Sequence, residues 1–183
     1  MTDAAWYLAR GTGLVSLVLL TVVVALGIAT RAGRPAFGLP RFAVTAVHRN
    51  ASLLSVLLLG IHVGTLLVDP YAHLRIVDVV LPFIGNYRPL WQGLGTLALD
   101  LVVALVVTSL LRHRIGLRGW RAVHWLAYAA WPVAFLHGLG TGTDAGQLWL
   151  RGTAVVCAAT VAAAIGWRFT ARVPALSTVD GRR

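Results

Sequence analysis

Apolar positions gather into five long runs, at about 11–30, 44–68, 94–111, 121–140 and 148–169, parted by short polar stretches. Each run is close to the roughly 17–25 residues that a helix needs to cross about 30 Å of hydrocarbon. The pattern predicts an all-α integral membrane protein, a bundle of five transmembrane helices. The first run is read as a retained helix, not a secretory signal: it is too long for an h-region, it has no positive n-region ahead of Arg10, and it lacks a clear small-residue cleavage site. A sixth apolar stretch, HLRIVDVVLPFIG within the 70–93 loop, is too short to cross and is expected to form an interfacial or re-entrant helix.

Composition agrees. Of 183 residues, 58% are hydrophobic and 12% charged, with mean hydropathy +0.78, which excludes a water-soluble nucleotide-binding domain and makes residues 1–183 one membrane domain. The net charge of +10 comes entirely from arginine. A nucleic-acid partner is not implied, because the arginines cluster at the ends of the apolar runs, where membrane topology places them. Arg31, Arg34, Arg41, Arg49, Arg112, Arg114, Arg118, Arg121, Arg168, Arg172, Arg182 and Arg183 fall on one side, whereas Arg10, Arg75, Arg88 and Arg151 fall on the other. The positive-inside rule then puts the N-terminus outside and the C-terminus in the cytoplasm. The single cysteine, Cys157, excludes a disulfide within the chain and reads as a packing residue.

Polar residues inside the apolar runs carry the chemistry. His48 and His62 are fourteen residues apart on the second predicted helix, and His124 and His137 are thirteen apart on the fourth. At 1.5 Å per residue these spacings correspond to about 21 and about 20 Å of rise, so each helix carries one imidazole near each side of the membrane. Both helices are predicted to run from inside to outside. Two stacked haems would then use all four histidines, the inner one held by His48 with His124 and the outer one by His62 with His137. Neutral imidazoles must bind, so the other ring nitrogen of each is expected to donate to a carbonyl or hydroxyl.

Fourteen helical steps leave His48 and His62 about 40° apart, but thirteen leave His124 and His137 about 140° apart. A bend or bulge near Trp131 and Pro132 is therefore expected to bring the latter pair onto one face. Gly60 and Gly64 around His62, and Gly138 and Gly140 after His137, would admit a flat macrocycle, although small-residue helix packing explains them as well. Four imidazoles bonded between helices without metal are the bland alternative for the histidines. His73 and His113 do not fit the pairing and read as surface residues. Asp100, the acid well inside a span, is expected to pair with an arginine such as Arg10 or to serve a quinol or proton site. Tyr128, Trp131 and Phe135 lie between the ligands of the fourth helix as packing residues.

The paired histidines, with the stretches VHRNASLLSVLLLGIHVG and WRAVHWLAYAAWPVAFLHGLG, resemble the ferric reductase-like transmembrane domain. That resemblance implies electron transfer from a cytoplasmic-side donor through the inner haem to the outer haem and on to an extracytoplasmic acceptor. It transfers to His48, His62, His124 and His137 alone. The usual family arrangement has six crossings, against five expected here. About a dozen residues follow the fifth run, and GLGTGTDAG at 138–146 does not open a strand-turn-helix unit. No bound flavin is expected on this chain. The donor is expected to be a separate flavin reductase or a membrane quinol, and the acceptor ferric iron or an extracytoplasmic protein. Arg88 is a candidate for an outer haem propionate, and Arg49 and Arg121 for the inner one, with topology and headgroup contact as the alternative for each. A metal-ion transporter or a haem-free accessory subunit remains open as a second class of function.

Overall fold

A computed structural model describes residues 2–31, 40–70, 72, 74–141 and 146–170. His73, the centre of GLGTGTDAG, and Arg34, Arg172, Arg182 and Arg183 lie outside them. Among the described residues every regular element is a helix: α1 Thr2–Arg31, α2 Arg41–Val68, α3 Ile76–Val80, α4 Pro89–Leu110, α5 Arg112–His124, α6 Ala127–Thr141 and α7 Leu148–Thr170. Ala4–Thr30, Arg41–Val68, Pro89–Leu110 and Leu148–Phe169 are long and apolar enough to cross a membrane, so the protein is multi-pass.

In hydrocarbon every backbone and hydroxyl group must find its partner inside the protein. Accordingly, Thr12 and Thr21 donate back to Leu8 O and Leu17 O at 2.6 and 2.8 Å, and Ser52 donates to His48 O at 2.7 Å. α2 opens after Pro40, whose carbonyl accepts from Ala43 and Val44. Proline also starts α4, where its missing N–H costs nothing.

The fourth predicted span departs from expectation. The run at 121–140 is divided between α5 and α6, and the 15 residues of α6 rise only about 22 Å, short of a full crossing on their own. The interruption lies at Trp125–Leu126, directly after His124, and not at Trp131–Pro132, through which α6 continues. There the chain tightens to i→i−3 bonding, Leu126 N–H to Val123 O at 2.9 Å and Ala129 N–H to Leu126 O at 2.9 Å. The physical reason is tertiary. Trp131 Nε1–H donates to Thr21 Oγ1 of α1 at 2.9 Å and its ring stacks on Phe135, which pins the turn around Pro132. The winding change falls instead on two exposed residues.

α1 is the most enclosed helix, packing against α2, α6 and α7. Val24 and Ile28 of α1 meet Val161 of α7, with Tyr128 and Trp131 of α6 closing the cluster. Ala9 and Val23 of α1 face His62 and His48 of α2 respectively, so these two helices are antiparallel. Leu17 and Thr21 of α1 face Gly138 and Trp131 of α6, so that pair is antiparallel too. The two histidine-bearing helices α2 and α6 consequently run in the same direction. The N-terminal end of α4 meets the C-terminal end of α6 through Arg88 Nη1, which donates to Gly140 O at 2.9 Å.

Residues 74–85 yield little helix. α3 is five residues long, fastened by Asp78, whose buried carboxylate accepts from Arg75 Nε and Nη2 at 3.0 and 2.7 Å. The Arg75 guanidinium holds this carboxyl below the ordinary carboxylate range. Thr96 Oγ1 donates to Asp78 O at 2.6 Å and ties the loop to α4.

Candidate functional site

A cavity of about 1200 Å³ runs along the bundle, and all four intramembrane histidines line it. It exceeds the roughly 300–1,000 Å³ of an ordinary small-molecule pocket. Trp6 and Arg10 stand at the end carrying His62, and Arg49, Arg112 and Arg121 at the end carrying His48.

Three rings are held by the same contact. His62 Nδ1–H donates to Ala9 O at 2.7 Å, His48 Nδ1–H to Val23 O at 3.0 Å, and His137 Nδ1–H to Trp91 O at 2.8 Å. Thr141 Oγ1 lies 3.1 Å from the His137 nitrogen. A carbonyl can only accept, so in each bond Nδ1 carries the proton, and the neutral form of the ring then has its lone pair on Nε2. That is the form in which an imidazole ligates a metal, with its other nitrogen engaged by a second group.

His124 is placed differently. Its ring stacks on Trp120, centroids 4.9 Å apart and planes 29° off parallel, and Trp120 Nε1–H reaches Ser109 Oγ of α4 at 3.3 Å. Among the described residues no three His, Cys, Asp or Glu side chains gather into a single ion site. The four imidazoles are instead spread along the cavity.

The arginines divide. Arg49 and Arg121 line the cavity at the His48 end, and Arg88 turns to Gly140 O while lying 5.8 Å from the Tyr87 ring centroid. Sequence reasoning missed Arg10 as a cavity residue. It follows Ala9, whose carbonyl accepts from His62, and its guanidinium sits 4.1 Å from the centre of the Trp6 ring. The signal was available: an ionisable residue at the mouth of an apolar run marks a functional position.

The glycines expected to admit a macrocycle are not at the rings. Gly60 and Gly64 are exposed, with open space where a Cβ would be. Gly138 faces Leu17 and Gly140 faces the Trp91 indole, which makes them helix-packing positions. The glycines against imidazoles are Gly13, Gly27 and Gly95, on neighbouring helices.

Comparison with known families gives a match over residues 12–135 to the family described as ferric reductase like transmembrane component. The match covers more than half of the chain, which belongs to this family. It includes His48, His62 and His124 and ends two residues before His137. Neither the curated proteins nor the solved structures gave a match.

Proposed function

We propose that this chain is a di-haem b-type electron-transfer subunit, with His48 and His124 holding a cytoplasmic-side haem and His62 and His137 an outer one. The observation that carries the reading is the set of three Nδ1–H···O=C bonds, which commits three imidazoles to one tautomer around one shared cavity. Free buried imidazoles bonding between helices need no such cavity. The chemistry of the donor set fits the group: apolar walls, paired neutral imidazoles and a buried hydroxyl, Ser16 Oγ, that has no protein partner and lines the same space.

Haem iron, when bound, supplies a one-electron couple. The protein's part is positional. The carbonyl bonds raise the basicity of His48, His62 and His137 and stop the rings from rotating. Apolar residues of α1, α2 and α4 keep water from the cavity, and arginines at its ends stand where carboxylates of a large cofactor can be met by charge-assisted bonds. Arg49 and Arg121 serve the cytoplasmic end. Arg10 serves the outer end, and Arg88, next in sequence to the cavity residue Tyr87, keeps N–H donors beyond the one used on Gly140 O.

The topology proposed has the N-terminus outside, with α6 and the last turns of α5 together forming the fourth of five crossings. Electrons enter from a separate flavin reductase or a membrane quinol and leave to ferric iron or an extracytoplasmic protein. A dithionite-reduced minus oxidised spectrum of the purified protein, with haem quantified per chain, tests the reading. About two haems b per polypeptide are expected. A chain that takes up none under adequate haem supply is not this electron carrier, and a haem-free accessory role then stands in its place.

A further inference from the structure

The three imidazole bonds share a register that neither the family nor the tautomer explains. In an α-helix the N–H of residue i+4 points at the carbonyl of residue i, so the side chain at i+4 stands beside any second donor approaching that carbonyl. The carbonyls used are Ala9, Val23 and Trp91. The residues four positions on are Gly13, Gly27 and Gly95. With 19 glycines in 183 residues, composition alone does not put one at all three.

Geometry gives the reason. A Cβ on Gly13 would lie 2.8 Å from both Cε1 and Nδ1 of His62, and one on Gly95 would lie 2.5 Å from Cε1 and 2.7 Å from Nδ1 of His137. Both are closer than carbon atoms tolerate. On Gly27 it would lie 3.5 Å from His48 Cε1, an ordinary contact. Fourteen residues separate Ala9 from Val23 and Gly13 from Gly27, the same interval that separates His48 from His62. α1 therefore presents two copies of one seat to the two rings of α2.

The same interval along α4 leads from Trp91 and Gly95 to Leu105 and Ser109. This fourth position is already taken. Thr108 Oγ1 is 3.3 Å from Leu105 O, and Ser109 Oγ accepts from Trp120, the ring on which His124 stacks.

We propose that Gly13 and Gly95 are positioning residues, each leaving open the carbonyl four residues before it so that an imidazole Nδ1–H can dock there and aim Nε2 into the cavity, whereas Gly27 keeps the same register with room for a methyl group. His124 has no such glycine and is positioned by Trp120. The haem readouts below rest on the function proposed above, but the hydrogen bonds do not.

The test uses the full chain in lipid nanodiscs, with Gly13→Ala, Gly95→Ala and Gly27→Ala against Gly11→Ala and Gly60→Ala, where a Cβ meets open space. ¹⁵N-histidine NMR of the haem-free protein reads the tautomers, and haem titration with low-spin EPR reads the ligands. Gly13→Ala and Gly95→Ala are each expected to lose one Nδ1–H signal, to weaken one haem by about 10–100-fold, and to shift its g-values. Gly27→Ala should match the two controls. If Gly13→Ala or Gly95→Ala does not fold, removal of the opposing ring, in Gly13→Ala/His62→Ala or Gly95→Ala/His137→Ala, should restore folding. Spectra indistinguishable from Gly11→Ala, or misfolding that persists without the imidazole, overturns the proposal. A wild type without haem overturns the electron-transfer function alone, and the tautomer signals still decide the seats.

Discussion

The seats of His62 and His137 are built more tightly than those of His48 and His124. At the first, both rings donate to helix carbonyls at 2.7 and 2.8 Å, and both press on a glycine whose Cβ would clash. At the second, His48 makes the longer bond, 3.0 Å, above a glycine with room to spare, and His124 rests on an indole just before the break at Trp125–Leu126. A pre-aimed pair of ligands lowers the reorganisation needed to bind, so on the function proposed above the site of His62 and His137 is the rigid one and that of His48 and His124 the adaptable one.

The sharpest way to break this contrast is to remove rings. His62→Ala or His137→Ala is expected to abolish the outer haem and leave about one haem per chain, as measured by pyridine haemochrome; His48→Ala or His124→Ala should do the same for the other level. Loss of both haems from any single replacement would mean that the levels are not independent. Next come the glycine substitutions, with their expected 10–100-fold weakening confined to Gly13→Ala and Gly95→Ala.

Trp120→Ala sharpens the other side. It removes a stacking contact worth about 0.5–1.5 kcal/mol and should loosen the cytoplasmic haem by roughly threefold to tenfold without touching the outer spectrum. An equal change at both levels would show that His124 is not held by the indole. Smaller effects are expected at the arginines: Arg88→Ala and Arg10→Ala should lower the potential of the outer haem by removing a cation, and a spectroelectrochemical titration identical to wild type would discount the propionate role.

The smallest effect lies in the loop. Arg75 depresses the Asp78 carboxyl, so the ion pair contributes fully above the ordinary carboxylate range and is lost as pH falls through the depressed value. The protection of residues 76–80 against hydrogen exchange, relative to the intrinsic rate at each pH, should be high at pH 7 and fall below about pH 4. Asp78→Asn should remove that dependence.

Much of this architecture is legible in a string of letters because membrane insertion is read locally. Four of the five apolar runs emerge as long helices close to their expected limits, and the four histidines do line one cavity. The placement of the bend failed because Pro132 acts within a tertiary setting: the bond from Trp131 to Thr21 spans 110 residues and holds the turn that proline would otherwise disturb. The choice of glycines failed for a geometric reason. Two residues along a helix turn the chain by about 200°, so Gly60 and Gly64 stand on the far side of α2 from His62. The glycine that matters to that ring, Gly13, belongs to a different helix.

Hydropathy, which acts on each segment separately, determined from the sequence alone that this is a multi-pass helical protein with histidines inside its apolar runs. Only the tertiary structure decided which carbonyl each imidazole meets, which glycine makes room for it and where the fourth span breaks. Those contacts join residues tens of positions apart, and no local periodicity encodes the rotation of one helix against another.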